Sequence, residues 1–234
     1  MSGLSSMPDG YRALVVGAGG AIGAAFVQLL QSDPRCGLVL GLGRQTAPAM
    51  DLEQAASIAA AASQLTPRGP FHLIINAAGV LHTPEFMPEK QLSQLDPAQL
   101  LRTFTINTFG PALLLRYFSP LLDRRRGVMA MLSAKVGSIE DNRLGGWYSY
   151  RASKAALNML IKTAAIELRR SQAQTVLVAL HPGTVSSALS APFRGAEIGR
   201  PADVAAAEML SVLDGLTPAD SGQFLSYSGE RLPW

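Results

Sequence analysis

The feature that most restricts this chain is an alternation of two patterns along its length. Six short runs, at 12–17, 38–43, 71–77, 128–133, 176–181 and 223–228, are apolar almost throughout. Unbroken apolarity, as opposed to an in–out alternation, marks strands covered on both faces, as in a parallel sheet. Between the runs, residues 21–31, 53–65, 98–123, 149–170 and 202–213 place Ala and Leu at helical spacing. Strand followed by helix, repeated, predicts a doubly wound α/β sheet.

Composition agrees and narrows the options. The 234 residues fit one domain, and 48% hydrophobic residues are enough for a sizeable core. Residues 1–10 read as a flexible N-terminal tail and 11–234 as a single domain. The net charge of +3 is too small to point to nucleic acid. Arg124–Arg126 read as cations at a helix C-terminus. No apolar run approaches the ~18 residues of a membrane helix, and the start lacks a secretory pattern. The expectation is a cytoplasmic protein without membrane or nucleic-acid partners. Cys36 is the single cysteine, which excludes an intramolecular disulfide or a multi-cysteine zinc site. His72, His82 and His181 lack metal-ligand spacing, so no metal is expected.

Two constellations carry chemistry. The first run leads into Gly17-Ala-Gly-Gly-Ala-Ile-Gly23 and then a helix. Small residues let a backbone approach a pyrophosphate, and the helix start offers unpaired N–H groups and a positive dipole end. The strict G-x-G-x-x-G fingerprint fails at Ile22. The second run ends Gly41-Leu-Gly43-Arg44 with no acid. A carboxylate there would bind ribose hydroxyls, whereas arginine suits a 2′-phosphate. NADP is therefore expected over NAD. The second constellation is Tyr150-Arg-Ala-Ser-Lys154, whose phenol and ammonium share one helix face. A nearby cation favours phenolate and lowers the phenol pKa, which suits proton exchange with a carbonyl or alcohol oxygen.

With these motifs in order, the chain resembles the short-chain dehydrogenase/reductase family over nearly its whole length. The matching series is Gly17–Gly23, in a G-x-x-x-G-x-G turn with Ala21 at the middle glycine, then Asp51, Asn76-Ala77-Ala78-Gly79, Asn107, Ser133, Tyr150/Lys154 and Pro182-Gly183. Gly137-Ser-Ile139, Gly145-Gly146, Gly222-Gln-Phe and Leu232-Pro-Trp234 resemble the branch of C-factor and the sniffer-type carbonyl reductases. The resemblance implies a Rossmann-type sheet of about seven parallel strands. It also implies hydride transfer between NADP(H) and a small carbonyl or secondary alcohol, with Tyr150 exchanging the proton.

The resemblance further implies site roles. Gly17, Gly19, Gly20, Ala21, Ile22 and Gly23 would cradle the pyrophosphate. Asp51 and Leu52 would contact the adenine, and Asn76 to Gly79 would wall the cofactor cleft. Asn107 would hold a water in a proton relay, and Lys154 would bond the nicotinamide ribose. Val185 and Ser187, after Pro182-Gly183, would anchor the carboxamide. The family's second serine is Ala134 here, so Ser133 or, with less support, Ser138 would supply the missing hydroxyl. Leu144, Trp147, Leu189 and Phe193 would flank an apolar pocket. The long helices from Ala98 and Ser149 suggest a homodimer or homotetramer. The rival expectation is a non-catalytic dinucleotide-binding signalling protein of C-factor type.

Overall fold

The parallel strands other than the half-buried Cys36–Leu42 are buried on both faces because their sequences leave no polar side to present to water. A computed structural model describes residues 4–234. Its strands are β1 (Tyr11–Val16), β2 (Cys36–Leu42), β3 (Leu73–Asn76), β4 (Val128–Leu132), β5 (Val176–His181) and β6 (Phe224–Ser226). All pair in parallel, in the order β2-β1-β3-β4-β5-β6. The order reverses direction at β1, which pairs with β2 on one side and β3 on the other. Such a switch point opens a crevice beyond the carboxyl ends of the strands, where doubly wound sheets bind ligands.

Two helical layers close the sheet. Helices α1 (Ala21–Gln31) and α7 (Ala202–Gly215) cover one face with Phe26, Leu30, Met209 and Leu213. The other face carries α2 (Ala55–Leu65), α4 (Gly110–Phe118) and α5 (Tyr148–Ser171), through Ile58, Leu114, Phe118, Leu157 and Ile161. Helix α3 (Pro97–Phe104) precedes α4, and the short α6 (Gly195–Ile198) precedes α7.

Four expectations change. Among the described residues the sheet has six strands, not about seven. Only residues 45–50 separate Arg44 from Asp51, and a parallel crossover needs a dozen or more residues. The connection yields a single bridge, Gly43 to Ala49, and β2 remains the edge. The continuous helix expected over 98–123 is α3, a π-helical turn at Thr105–Phe109, α4 and a 3₁₀ turn at Ser119–Leu121. Arg124–Arg126 therefore follow a finished helix: Asp123 accepts from the Arg125 and Arg126 amides, both at 2.8 Å. The Arg126 guanidinium instead reaches Ser6 Oγ at 2.7 Å and the Asp214 carbonyl at 3.2 Å.

The fourth change concerns the tail. Leu4 and Met7 are buried, and Asp214 accepts from the amides and hydroxyls of Ser5 and Ser6 at 2.6–3.0 Å. Arg35 adds bonds to the Leu4 and Met7 carbonyls at 2.7 and 2.6 Å. Residues 4–10 are thus lashed to the domain; residues 1–3 of the expected tail lie outside the described residues.

Gly110 shows how tightly the second layer is packed. A Cβ there would lie 2.7 Å from Leu52 Cβ and 2.8 Å from the Leu52 carbonyl oxygen. Gly110→Ala should lower stability by about 1–3 kcal/mol in urea unfolding, despite alanine's better helix propensity. Gly215→Ala, with nothing within 4 Å of the new methyl, should cost less than about 1 kcal/mol or stabilise.

Candidate active site

The glycine turn is shaped by close approaches. Gly17 has φ +80°, and a Cβ on it would fall 2.7 Å from the Ala78 amide nitrogen. A Cβ on Gly23 would overlap the Gly17 carbonyl, so the turn presses α1 onto the ends of β1 and β3. Gly19 faces open space. Gly20 caps α1 without a side-chain bond, and the first turn holds no acidic residue. Free N–H groups beside an open, uncharged cradle fit a pyrophosphate. Ile22, which breaks the strict fingerprint, packs its side chain on the core.

The neighbouring cofactor positions differ in readiness. Arg44 is exposed at the end of β2. Asp51 closes its own turn by accepting the Glu53 amide at 3.0 Å, and Leu52 is buried in the core. Asn76 accepts the Ala78 amide at 3.1 Å, and its Nδ2 is buried without a partner among the described residues. Ala77 donates to Val16 at 2.8 Å. After β5, Gly183 has φ +74°, and the Tyr227 ring lies 2.9 Å from where a Cβ would stand. The Val185 carbonyl accepts from Ser187 Oγ at 3.3 Å and Ser190 Oγ at 2.5 Å. The Ser187 hydroxyl is therefore engaged within its own turn.

Asn107 lies on the π-helical turn and is fully buried; such turns often mark functional sites. Its amide grips Val80, accepting the N–H and donating to the carbonyl, each at 2.8 Å, and donates to Ser153 Oγ at 3.2 Å. A Cβ on Gly79 would sit 3.3 Å from Asn107 Oδ1 and 3.5 Å from Lys154 Nζ. The bare glycine therefore lets these two groups converge.

Tyr150 and Lys154 open α5 and share a face. Lys154 Nζ lies 5.8 Å from the Tyr150 ring centroid and donates to the Leu132 carbonyl at 3.0 Å. Burial pushes the Tyr150 phenol up to about 12 and pulls Lys154 down to about 8. The lowering of the phenol expected from the lysine is thus outweighed by desolvation of both charged forms.

The serine expectation also meets a constraint. Met129 and Met131 of β4 pack in the α2/α4/α5 layer. Ser133 continues that series and donates to Asn158 Oδ1 on α5 at 2.6 Å. Ala134, the next residue, packs with Leu81 and Tyr150. Ser138 donates to the Trp234 carbonyl and accepts the Asp141 amide, both at 3.1 Å. Neither serine directs its hydroxyl to Tyr150; the residue beside the phenol is alanine.

An apolar wall surrounds the phenol. Trp147 meets Tyr150 edge-on at 6.2 Å between centroids and Phe193 at 4.9 Å, with Val136 alongside. Leu144 and Leu189, expected in this wall, are 91% and 36% exposed and stand outside it. Sequence reasoning missed Leu81, Asn158 and Glu89. Asn158 could have been found, since it lies one helical turn beyond Lys154 on the same face. Glu89 sits in a polar stretch that reads as loop.

Comparison with known proteins accords with this geometry. A family profile described as short chain dehydrogenase matches residues 37–197. The chain is 39% identical over 170 residues to the C-signal protein of Myxococcus xanthus, covering 71% of this chain and 94% of that one. It is 33% identical over 187 residues to the 1-hydroxy-2-glutathionyl-2-methyl-3-butene dehydrogenase of Rhodococcus sp. strain AD45, covering 80% and 79%. Its fold matches an NADPH-bound carbonyl reductase from chicken fatty liver, with TM-score 0.81 and 27% identity over 97% and 96% of the chains. The carbonyl reductase Sniffer of D. melanogaster shares the fold at TM-score 0.83 and 21% identity, over 97% and 100%. The chain belongs to the short-chain dehydrogenase family.

Proposed function

We propose that the protein is an NADP(H)-dependent oxidoreductase interconverting a small, apolar carbonyl compound and its secondary alcohol. The observation that carries this reading is the buried Tyr150 phenol, one turn from Lys154 and beside a glycine cradle that fits a dinucleotide. Bound in that cradle, the cofactor supplies or accepts the hydride. Gly17 to Gly23 would hold its pyrophosphate, Asp51 and Leu52 its adenine, and Asn76 to Gly79 would wall the cleft. Tyr150 and Lys154 would meet the ribose, and Val185 and Ser187 the carboxamide.

The rest is positioning and proton transfer. With its pKa near 12, the phenol is neutral at physiological pH and acts as an acid. An alkoxide formed from a carbonyl is more basic, so proton donation by Tyr150 runs downhill. Lys154 holds a positive charge within reach of the phenolate left behind, and Asn107 would connect the lysine to solvent. Trp147, Phe193 and Leu81 keep bulk water from the phenol and favour an apolar substrate face.

A second reading has its own support. Among the described residues no serine hydroxyl bonds the Tyr150 phenol, and one relative is a C-signal protein. A dinucleotide-binding signalling protein without turnover would share those traits. NADPH oxidation measured against ketones, aldehydes and quinones separates the two. Failure across that panel with tight NADPH binding favours signalling.

Arg44 should give NADP(H) at least ~10-fold tighter binding than NAD(H), about 1.4 kcal/mol. Titration of both cofactors, before and after Arg44→Ala, checks this; an unchanged preference would remove Arg44 from the site. Ala134→Ser should raise turnover ~10-fold or more by placing a second donor beside the reacting oxygen. Ser133→Ala should leave turnover within about twofold, because its hydroxyl serves Asn158. A sharp loss in Ser133→Ala would restore that serine to catalysis. Leu101, Phe109, Met159 and Ile166 are 48–66% exposed on α3, the π-helical turn and α5. This face supports a homodimer or homotetramer. Light scattering at micromolar concentration should show the assembly, and Phe109→Glu with Met159→Glu should dissociate it.

A further inference from the structure

Glu89 lies in the segment joining β3 to α3, whose regular structure is one 3₁₀ turn at Leu92–Gln94. Glutamate in such a segment normally faces water, yet this one is 2% exposed. No cation is paired with it among the described residues. Instead its carboxylate accepts the Ser149 amide at 3.1 Å and the Ser149 hydroxyl, and its backbone carbonyl accepts the Trp147 amide. We propose that Glu89 is a positioning residue that clamps the first turn of α5 and so sets Tyr150 and Trp147 in the active site.

Three observations converge on this role. First, α5 has no cap of its own: Trp147 occupies the N-cap position without a side-chain bond. One of the unpaired N–H groups of the first turn, that of Ser149, takes its partner from a carboxylate distant in sequence, which also faces the positive end of the dipole. Second, Trp147 has φ +53° and follows Gly145 and Gly146 at φ +63° and +64°. A bulky residue holds a left-handed conformation only where its surroundings enforce it. Here the Glu89 carbonyl holds its N–H while Tyr150 and Phe193 hold its ring. Third, the same segment begins at the site. Val80 is bound twice by Asn107, and Leu81 packs on Tyr150. Residues 80–89 thus form a strap from Asn107 to the start of α5, fastened at its far end by Glu89.

The catalytic meaning of the clamp rests on the oxidoreductase reading, but its geometry can be tested without turnover. The chain has two tryptophans, so a Trp234→Phe background leaves Trp147 as the sole indole. In that background, Glu89→Ala should shift the emission to the red and at least double quenching by acrylamide. NADPH affinity should stay within threefold. Glu89→Gln keeps an acceptor for the Ser149 amide and can donate to its hydroxyl, so it should behave as the parent. On a carbonyl found by the panel, Glu89→Ala should lower kcat at least tenfold with little change in KM for NADPH. If Glu89→Ala does not fold, Ser149→Ala, which removes half of the clamp, should show the same fluorescence changes at smaller size. A folded Glu89→Ala with unaltered Trp147 emission and quenching overturns the proposal, as does Glu89→Gln matching Glu89→Ala. If no carbonyl is turned over while the fluorescence responds as expected, the function reading fails and the clamp stands.

Discussion

Lys154 is 4% exposed, and the hydrogen bond of its ammonium runs to the Leu132 carbonyl at the end of β4. Much of the molecule is arranged to tolerate that buried charge. Gly137 must lack a side chain, because a Cβ there would lie 2.6 Å from Lys154 Cβ. On the other side a Cβ on Gly79 would only touch the ammonium, at 3.5 Å, and would stand 3.3 Å from Asn107 Oδ1. The backbone at the carboxyl end of β4 stands in for the solvent that the ammonium has lost, but incompletely, and the group's affinity for its proton falls. Burial acts on Tyr150 in the opposite direction. Burial thus tightens the phenol's hold on its proton and loosens the ammonium's, which at about 8 still keeps its charge at neutral pH.

The two residues that follow β4 meet α5 at different places. A serine one residue early is therefore not a displaced copy of the missing group. Ser133 is bound to Asn158, and the position beside the phenol belongs to a methyl group. Tyr150 is therefore the one hydroxyl in its buried apolar cluster, which comprises Leu81 and Ala134 with Val136, Trp147 and Phe193.

What could be read from the sequence followed from how locally each feature is determined. The six apolar runs became the six strands because a doubly covered strand needs only its own residues to be apolar. The glycine turn and the Tyr150/Lys154 pair were legible because their spacing is their geometry. The seventh strand entered through resemblance, against the shortness of 45–50. The π-helical turn around Asn107 left no trace, since it depends on bonds to Val80 and Ser153. The same holds for Ser5 and Ser6 on Asp214 and for Glu89 on Ser149. Each joins residues far apart in the chain, so no periodicity records it, and a polar residue in a polar stretch looks solvated whether or not it is.

The brevity of the connection after β2 also affects how cofactors are told apart. With no strand beyond it, β2 is the margin of the sheet and Arg44 stands in water at its tip. A charge in that position works through the solvent's dielectric, and its reach is only about 8 Å at physiological ionic strength. A guanidinium roofed by another strand would keep its hold on an anion as salt is raised. This one is screened, so the discrimination proposed for Arg44 is a property of the medium as well as of the chain, strong in dilute buffer and fading as counter-ions accumulate.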